Sequence, residues 1–92
     1  MAGGITGSVV LPIVAGQPIA PIREAFHRLL AAHPDWDKRT GELQVAEVKI
    51  DAVELKLVMS AGGPTAMARL RLAMREAMLE WLRTEMPEAL KK

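Results

Sequence analysis

Apolar and polar positions along this chain alternate with a period of two in some segments and recur near the helical period of 3.6 in others. Residues 7–14 are rich in β-branched side chains, which predicts a first strand. Pro12 lies in this run, and because proline has no N–H it is expected at an edge, at a bulge or at the strand end. Residues 42–46 and 53–59 alternate on either side of a polar break at 47–51, which predicts a β-hairpin with one face toward a core.

Two other segments carry apolar residues at helical spacing. The first is predicted to form a helix over Ile19–His33, opened by Pro18 near the first helical position. The second is predicted to form a longer helix over Ala66–Glu85, with Thr65 as its N-cap. The predicted apolar face of the second helix consists of Met67, Leu70, Met74, Ala77, Met78 and Trp81.

The elements follow the order β-α-β-β-α, with predicted loops over 35–41 and 60–65. This order predicts the α+β class and a ferredoxin-like βαββα two-layer sandwich, in which a three-stranded sheet carries two helices on one face. The right-handed crossover rule predicts that the first strand lies beside the third and parallel to it. Residues 5–90 are expected to form a single α/β domain after a flexible start at 1–4 and before a basic tail at 91–92.

Composition and charge exclude several classes of function. The 92 residues include 12 basic and 11 acidic side chains, a balance that argues against a dedicated nucleic-acid-binding protein. The absence of cysteine excludes disulfides, thiol nucleophiles and thiolate metal sites. The longest apolar stretch, residues 9–15, is far shorter than the roughly 20 residues that cross a bilayer, so the chain itself is expected to be soluble.

Candidate chemistry is sparse. His33, Asp35 and Asp37 are close enough in sequence to suggest a metal site or an acid–base pair. We favour a structural interpretation, because an imidazole suits a helix C-terminus, aspartates suit a turn, and a further type of ligand is missing. Ser8 and Ser60 lie outside any nucleophile elbow. The sequence therefore predicts no catalytic residue, no cofactor and no metal ligand.

The second helix carries apolar residues beyond the face that a sheet would cover. The hypothesis is that this additional strip contacts another chain or domain, whereas the alternative is that a few exposed leucines are normal on any surface. An unpaired sheet edge beside the first strand points in the same direction. The predicted subunit interface consists of Leu72, Leu79, Arg71, Arg75 and Met86.

Several segments, in order and spacing, resemble the C-terminal end of the bacterial small-conductance mechanosensitive channel (MscS-like) family. The resemblance covers residues 5–90. In this chain, Ala68-Arg69 stands where relatives tend to have Trp-Asp, and Leu72-Ala73 stands where they tend to be more polar. The segments are ITGSVVL at 5–11, HPDWDKR at 33–39, LQV at 43–45, VEL at 53–55, VMSA at 58–61, LR at 70–71, MRE at 74–76 and WLRTEMPEAL at 81–90.

The resemblance implies a non-catalytic cytoplasmic domain of an ion channel that opens under bilayer tension and releases ions and osmolytes on hypo-osmotic shock. It implies self-association into a heptamer around a hollow vestibule, on the cytoplasmic side of the bacterial inner membrane, with the membrane reached only through upstream segments. No nucleic-acid partner is implied. The alternative is a freestanding ferredoxin-like regulatory or small-ligand-binding module that acts as a dimer. An acid–base enzyme using His33 and Asp35 is disfavoured by the loop setting of this cluster, which begins at the predicted end of the first helix.

Overall fold

The computed structural model describes residues 4–90, and its elements follow the order β-α-β-β-α. The predicted α+β class and ferredoxin-like βαββα sandwich are confirmed. The predicted basic tail at 91–92 and most of the predicted flexible start at 1–4 lie outside the described residues. The elements are β1 (Ile5–Val14), α1 (Ala20–Ala31), β2 (Trp36–Val48), β3 (Ala52–Ala61), α2 (Pro64–Glu85) and a short 3-10 helix (Pro87–Leu90).

The three strands are arranged in the order β1-β3-β2, and β3 runs antiparallel to both neighbours. The first strand therefore lies beside the third, as predicted, but the predicted parallel orientation was wrong. The crossover through α1 joins β1 to β2, and these are the two strands that share a direction. The hairpin then returns β3 into the gap between them, so β3 opposes both. In the centre of the sheet, Val9 pairs with Leu57 and Leu57 with Leu43.

The core lies between this sheet and the two helices. Burying a side chain of the size of leucine or phenylalanine stabilises a fold by about 1.5–3 kcal/mol. Leu82, which the predicted apolar face does not include, is fully buried, whereas Trp81, which it includes, is only half-buried. The fully buried apolar side chains include Ile22, Phe26 and Leu30 on α1, Leu70, Met74, Met78 and Leu82 on α2, and Val9, Leu55, Leu57 and Met59 on the sheet.

Both helices have a proline in the first turn. In α1 the proline of the first turn is Pro21, so Pro18 precedes the helix. In α2 the first residue is Pro64, and Gly63 is an N-cap with extended backbone and no side-chain hydrogen bond. The predicted N-cap Thr65 was therefore wrong. A proline in the first turn costs no hydrogen bond, because the N–H groups of that turn have no partner within the helix.

The outer edge of β1 has two features that discourage strand pairing. Ala15 N–H donates to the Asp51 carbonyl at 3.2 Å, which continues the ladder between β1 and β3. Hydrogen-bonded pairs alternate along an antiparallel ladder, so the even-numbered residues of β1 point their backbone groups outward. Arg71 Nε of α2 donates to the outward carbonyl of Ser8 at 3.1 Å. Pro12, which has no N–H, also lies on the outward side, as expected for an edge strand.

The outer edge of β2 has a matching arginine. Arg23 Nη2 of α1 donates to the Leu43 carbonyl at 3.2 Å. Exposed strand edges pair readily with other strands, and each arginine occupies one acceptor on its edge. Arg71, which the sequence placed in a subunit interface, therefore has a hydrogen-bond partner in its own chain.

Candidate functional site

The beginning of β2 is irregular where it faces Ser60 of β3. β2 pairs with β3 at Trp36 and again at Gly41, so the intervening residues 37–40 lie opposite Ser60 alone. Lys38 adopts the left-handed backbone conformation, with φ of 68°, which is uncommon for a side chain of its size. The predicted polar loop over this segment was wrong. The charged residues of this segment do not alternate with apolar ones, so the sequence gives no strand signal here. The segment nevertheless belongs to β2, because β2 pairs with β3 on both sides of it.

Ser60 is fully buried, and its hydroxyl satisfies the polar groups of this irregular segment. Thr40 N–H donates to Ser60 Oγ at 2.7 Å. The Ser60 hydroxyl in turn donates to the Asp37 carboxylate. Asp37 also accepts hydrogen bonds from the Arg39 backbone N–H at 3.1 Å and from Arg39 Nε at 2.9 Å. One buried hydroxyl thus connects the unpaired residues of β2 to the neighbouring strand.

Asp35 connects the same segment to the second helix. Its carboxylate accepts two hydrogen bonds from the Arg69 guanidinium, at 2.9 and 3.0 Å, and such bidentate pairs have a defined orientation. The Asp35 backbone N–H donates to His33 Nδ1 at 3.1 Å. His33 lies beyond the end of α1, and its ring accepts a hydrogen bond instead of donating to the helix carbonyls as the sequence suggested. We call Asp35, Asp37, Ser60 and Arg69, with His33, the turn cluster.

The two aspartates of the turn cluster have lowered pKa values. The hydrogen bonds from Arg69, together with its positive charge, lower the pKa of Asp35. The Ser60 hydroxyl, followed by the backbone and side chain of Arg39, lowers the pKa of Asp37. Asp35 raises the pKa of Arg69 in return. Both carboxylates are therefore held in the charged form by donors that bind them directly.

Acid should therefore destabilise the fold through these carboxylates. A pKa that is lower in the folded than in the unfolded chain adds stability above the unfolded value, about 3.9 for aspartate, and that stability is lost as the pH falls through the folded value. We expect the urea concentration at the unfolding midpoint to decrease when the pH is lowered below about 4. In Asp35→Asn or Asp37→Asn this fall should be smaller, whereas the matched control Glu85→Gln should behave as the unaltered chain. A fall of equal size in all variants would contradict this assignment.

The turn cluster connects the start of β2 to β3 and to α2. Across residues 4–90, no three or more histidine, cysteine or acidic side chains are grouped so that they could hold a metal ion. His33 and Asp35 are adjacent, as the sequence suggested, but Asp37 lies apart from them and binds Ser60. Arg69 and Arg39 occupy the carboxylate oxygens that a proton transfer would use. The described geometry is that of an anchor for the start of β2.

The predicted interface residues on α2 divide into two groups. Leu72 and Leu79 are exposed, at 58% and 41% of their possible surface, and Arg75 lies on the same side of the helix. The Arg75 side chain makes no ion pair or hydrogen bond with any described residue. We call Leu72, Arg75 and Leu79 the outer strip. Arg71 instead binds the edge of β1, and Met86 is half-buried against the core.

Sequence reasoning missed Ser60 and Arg69. The alternation of 53–59 continues through β3, and this alone would place Ser60 on the open face of the sheet. Its burial arises because the extra residues of β2 fold over it, which no local pattern shows. Arg69 is 34 positions from Asp35, so that ion pair depends on the packing of α2.

Comparison with known proteins gives no assignment. No protein-family model matches this chain, and no curated protein matches it. Within the described part of the chain, neither helix is long and apolar enough to cross a membrane. The function must therefore be inferred from the residues and surfaces of the chain itself.

Proposed function

We propose that this chain is the cytoplasmic vestibule and assembly domain of a bacterial mechanosensitive channel of the small-conductance type. In this role it shapes the path by which ions and osmolytes reach the pore on hypo-osmotic shock. It also helps to hold the subunits of the channel together. Segments outside this chain would cross the membrane and sense its tension.

The segments that carry the resemblance are in contact in the folded chain, which supports the proposal. Asp37, from the segment at 33–39, binds Ser60, from the segment at 58–61. Trp36 pairs with Ala61 from the same two segments. Two segments about 20 positions apart in sequence are therefore in contact in the fold.

The outer strip is the single observation that carries the assembly role. α2 buries one face against the sheet through Leu70, Met74 and Met78, yet it exposes Leu72 and Leu79 on another side. Monomeric surfaces contain single exposed leucines, but two on one helix beside an unpaired arginine form a contact surface of the kind found at subunit interfaces. We propose a non-catalytic role, because the turn cluster uses its carboxylates for internal ion pairs.

Fractionation of the source cells tests the channel proposal. An antibody against residues 5–90 should detect, in the membrane fraction, a band much larger than the 10.0 kDa of this chain. Deleting the gene should reduce survival and solute release on hypo-osmotic shock, and the intact gene should restore both. A 10 kDa band confined to the soluble fraction would overturn the proposal.

A matched variant separates assembly from folding in the same experiment. Leu72→Glu combined with Leu79→Glu should leave the domain folded, because both side chains are exposed, but should dissociate the assembly. Val10→Glu, which adds charge on the open face of the sheet, is the control and should assemble normally. Unfolding of the double variant, seen by circular dichroism, would assign the strip to the core instead.

A second candidate function rests on a cavity. A depression of about 320 Å³ lies between the end of β1, the hairpin and the 3-10 helix, with Ile13, Ala52 and Leu90 among its lining residues. Its volume is at the lower end of the range for small-molecule sites. This observation favours the alternative of a freestanding ligand-binding module. The soluble 10 kDa band described above would select this candidate.

A further inference from the structure

An open groove lies between α1 and α2. Its volume is about 380 Å³, which is within the range of small-molecule sites. It shares no lining residue with the depression at the end of β1 and none with the outer strip. We call it the interhelical groove, and its lining residues are Leu29 of α1 and Ala77, Glu80, Trp81, Thr84 and Glu85 of α2.

Most of the surface of this groove is apolar. Leu29 and Ala77 are half-buried, so each presents hydrocarbon at the surface. Trp81 packs partly against the core, and the rest of its side chain stays accessible. The face of an indole ring attracts cations more strongly than that of any other aromatic side chain. The groove therefore combines apolar contact with one aromatic side chain suited to a positive charge.

The charged residues of the groove are acidic. Glu85 makes no ion pair or hydrogen bond with any described residue. Glu80 pairs with Arg83 at 2.9 Å, but both side chains are exposed, and exposed pairs of this kind are weak. Among the described residues, no lysine, arginine or histidine lines the groove. Its local charge is thus negative, which favours a cation and disfavours an anion.

A metal ion fits this groove poorly. Divalent cations such as Mg²⁺ and Ca²⁺ need several oxygen ligands. Across residues 4–90, no three or more histidine, cysteine or acidic side chains are grouped so that they could hold one. Apolar walls also cannot replace the water that a small metal ion would lose. An ammonium group that carries hydrocarbon is suited to the apolar walls, the carboxylates and the indole together.

We propose that the interhelical groove binds a small organic cation, an ammonium group attached to a hydrocarbon body. The positive charge lies against Trp81 and Glu85, and the hydrocarbon contacts Leu29 and Ala77. Alkylated and quaternary ammonium compounds are therefore the ligand class. This site goes beyond the assembly role and does not depend on it, because none of its residues belongs to the outer strip.

Choline and its neutral analogue, in which a carbon atom replaces the charged nitrogen, test the proposal. Each is titrated into the isotope-labelled full chain, and NMR follows the indole N–H signals of the two tryptophans. We expect choline to shift the Trp81 signal saturably, with a Kd of about 1–10 mM for so small a ligand in an open groove. The neutral analogue should bind about tenfold more weakly, because it lacks the charge.

Trp36 provides an internal reference in the same spectra. It lies outside the groove, so its indole signal should not shift when choline is added. The Trp81→Phe chain assigns the two signals, because it retains only that of Trp36.

Matched variants test the carboxylates. Each of Glu80→Gln and Glu85→Gln should weaken choline binding about twofold to fivefold, and the double variant should weaken it further. Glu76→Gln removes the same charge one turn before Glu80 on α2, outside the groove, and should bind choline as the unaltered chain does. All three glutamates are exposed, so none of these changes removes core packing.

Several results would overturn the proposal. They are the absence of a saturable shift of the Trp81 signal, an equal affinity for the neutral analogue, and an equal shift with MgCl₂ at the same concentration. Choline binding that is unchanged in the double glutamine variant would overturn the role given to the carboxylates. None of these results would affect the channel proposal, which fractionation and osmotic release test separately.

Discussion

Replacing Leu70 by alanine is expected to lower the free energy of unfolding by about 2–5 kcal/mol. Leu70 is fully buried where α2 packs on the sheet. Its truncation removes the transfer free energy of the lost methyl groups and leaves a cavity. A domain of 92 residues has a total stability of about 5–14 kcal/mol. This one change should therefore remove a large part of the stability, as measured by urea denaturation.

Leu72→Ala is the matched control, because it makes the same chemical change two positions along the same helix. Leu72 is 58% exposed, so the expected change in the free energy of unfolding is within about 0.5 kcal/mol. The two variants together separate the core of α2 from the outer strip. Equal destabilisation would show that both leucines are buried in the protein in solution.

Ser60→Ala is expected to cost about 1–3 kcal/mol of stability, the second large effect. The substitution removes the acceptor for Thr40 N–H and the donor to Asp37. Both groups lie in the irregular part of β2, where the strand ladder supplies no replacement. Thr40 and Asp37 are only half-buried, so the expected cost is that of losing two ordinary hydrogen bonds. Urea denaturation measures the change, and hydrogen exchange at Thr40 shows whether the segment opens.

Ser8→Ala is the control for this substitution. Ser8 lies in β1, its side chain is only half-buried, and the bond to Arg71 uses its backbone carbonyl, which the change retains. The expected effect on stability is within about 0.5 kcal/mol. A Ser60 variant as stable as the Ser8 variant would show that water or backbone rearrangement replaces the lost hydroxyl.

Much of the architecture follows from periodicity alone. The alternation around Leu55 and Leu57 predicts β3, and the helical spacing through Leu70 and Met74 predicts the buried face of α2. These patterns predict the elements correctly because each one repeats over several helical turns or strand positions, so one exception does not change the prediction. Element order then restricts the topology to a few arrangements, of which the βαββα sandwich is one.

The errors have different physical causes. The direction of β3 follows from element order, because the crossover through α1 makes β1 and β2 parallel and the hairpin reverses β3 between them. The strand at residues 36–41 depends on Ser60, a residue about 20 positions away. Threonine is a residue type that is favoured at N-caps, so Thr65 was predicted as one. The N-cap is instead Gly63, and the helix begins at Pro64 with no side-chain hydrogen bond at its start. The outer strip could be predicted, because its leucines lie outside the single apolar stripe that is expected of a helix covering a sheet.

The arginines at the two sheet edges affect how copies of this domain behave when crowded. At high local concentration, as in the proposed channel, open strand edges tend to merge into a continuous sheet and then aggregate. Arg71 on Ser8 and Arg23 on Leu43 occupy an acceptor on each edge, and Pro12 removes a donor. If the domains assemble as proposed, they would join through side chains, and contacts of that kind can separate and re-form without any domain unfolding.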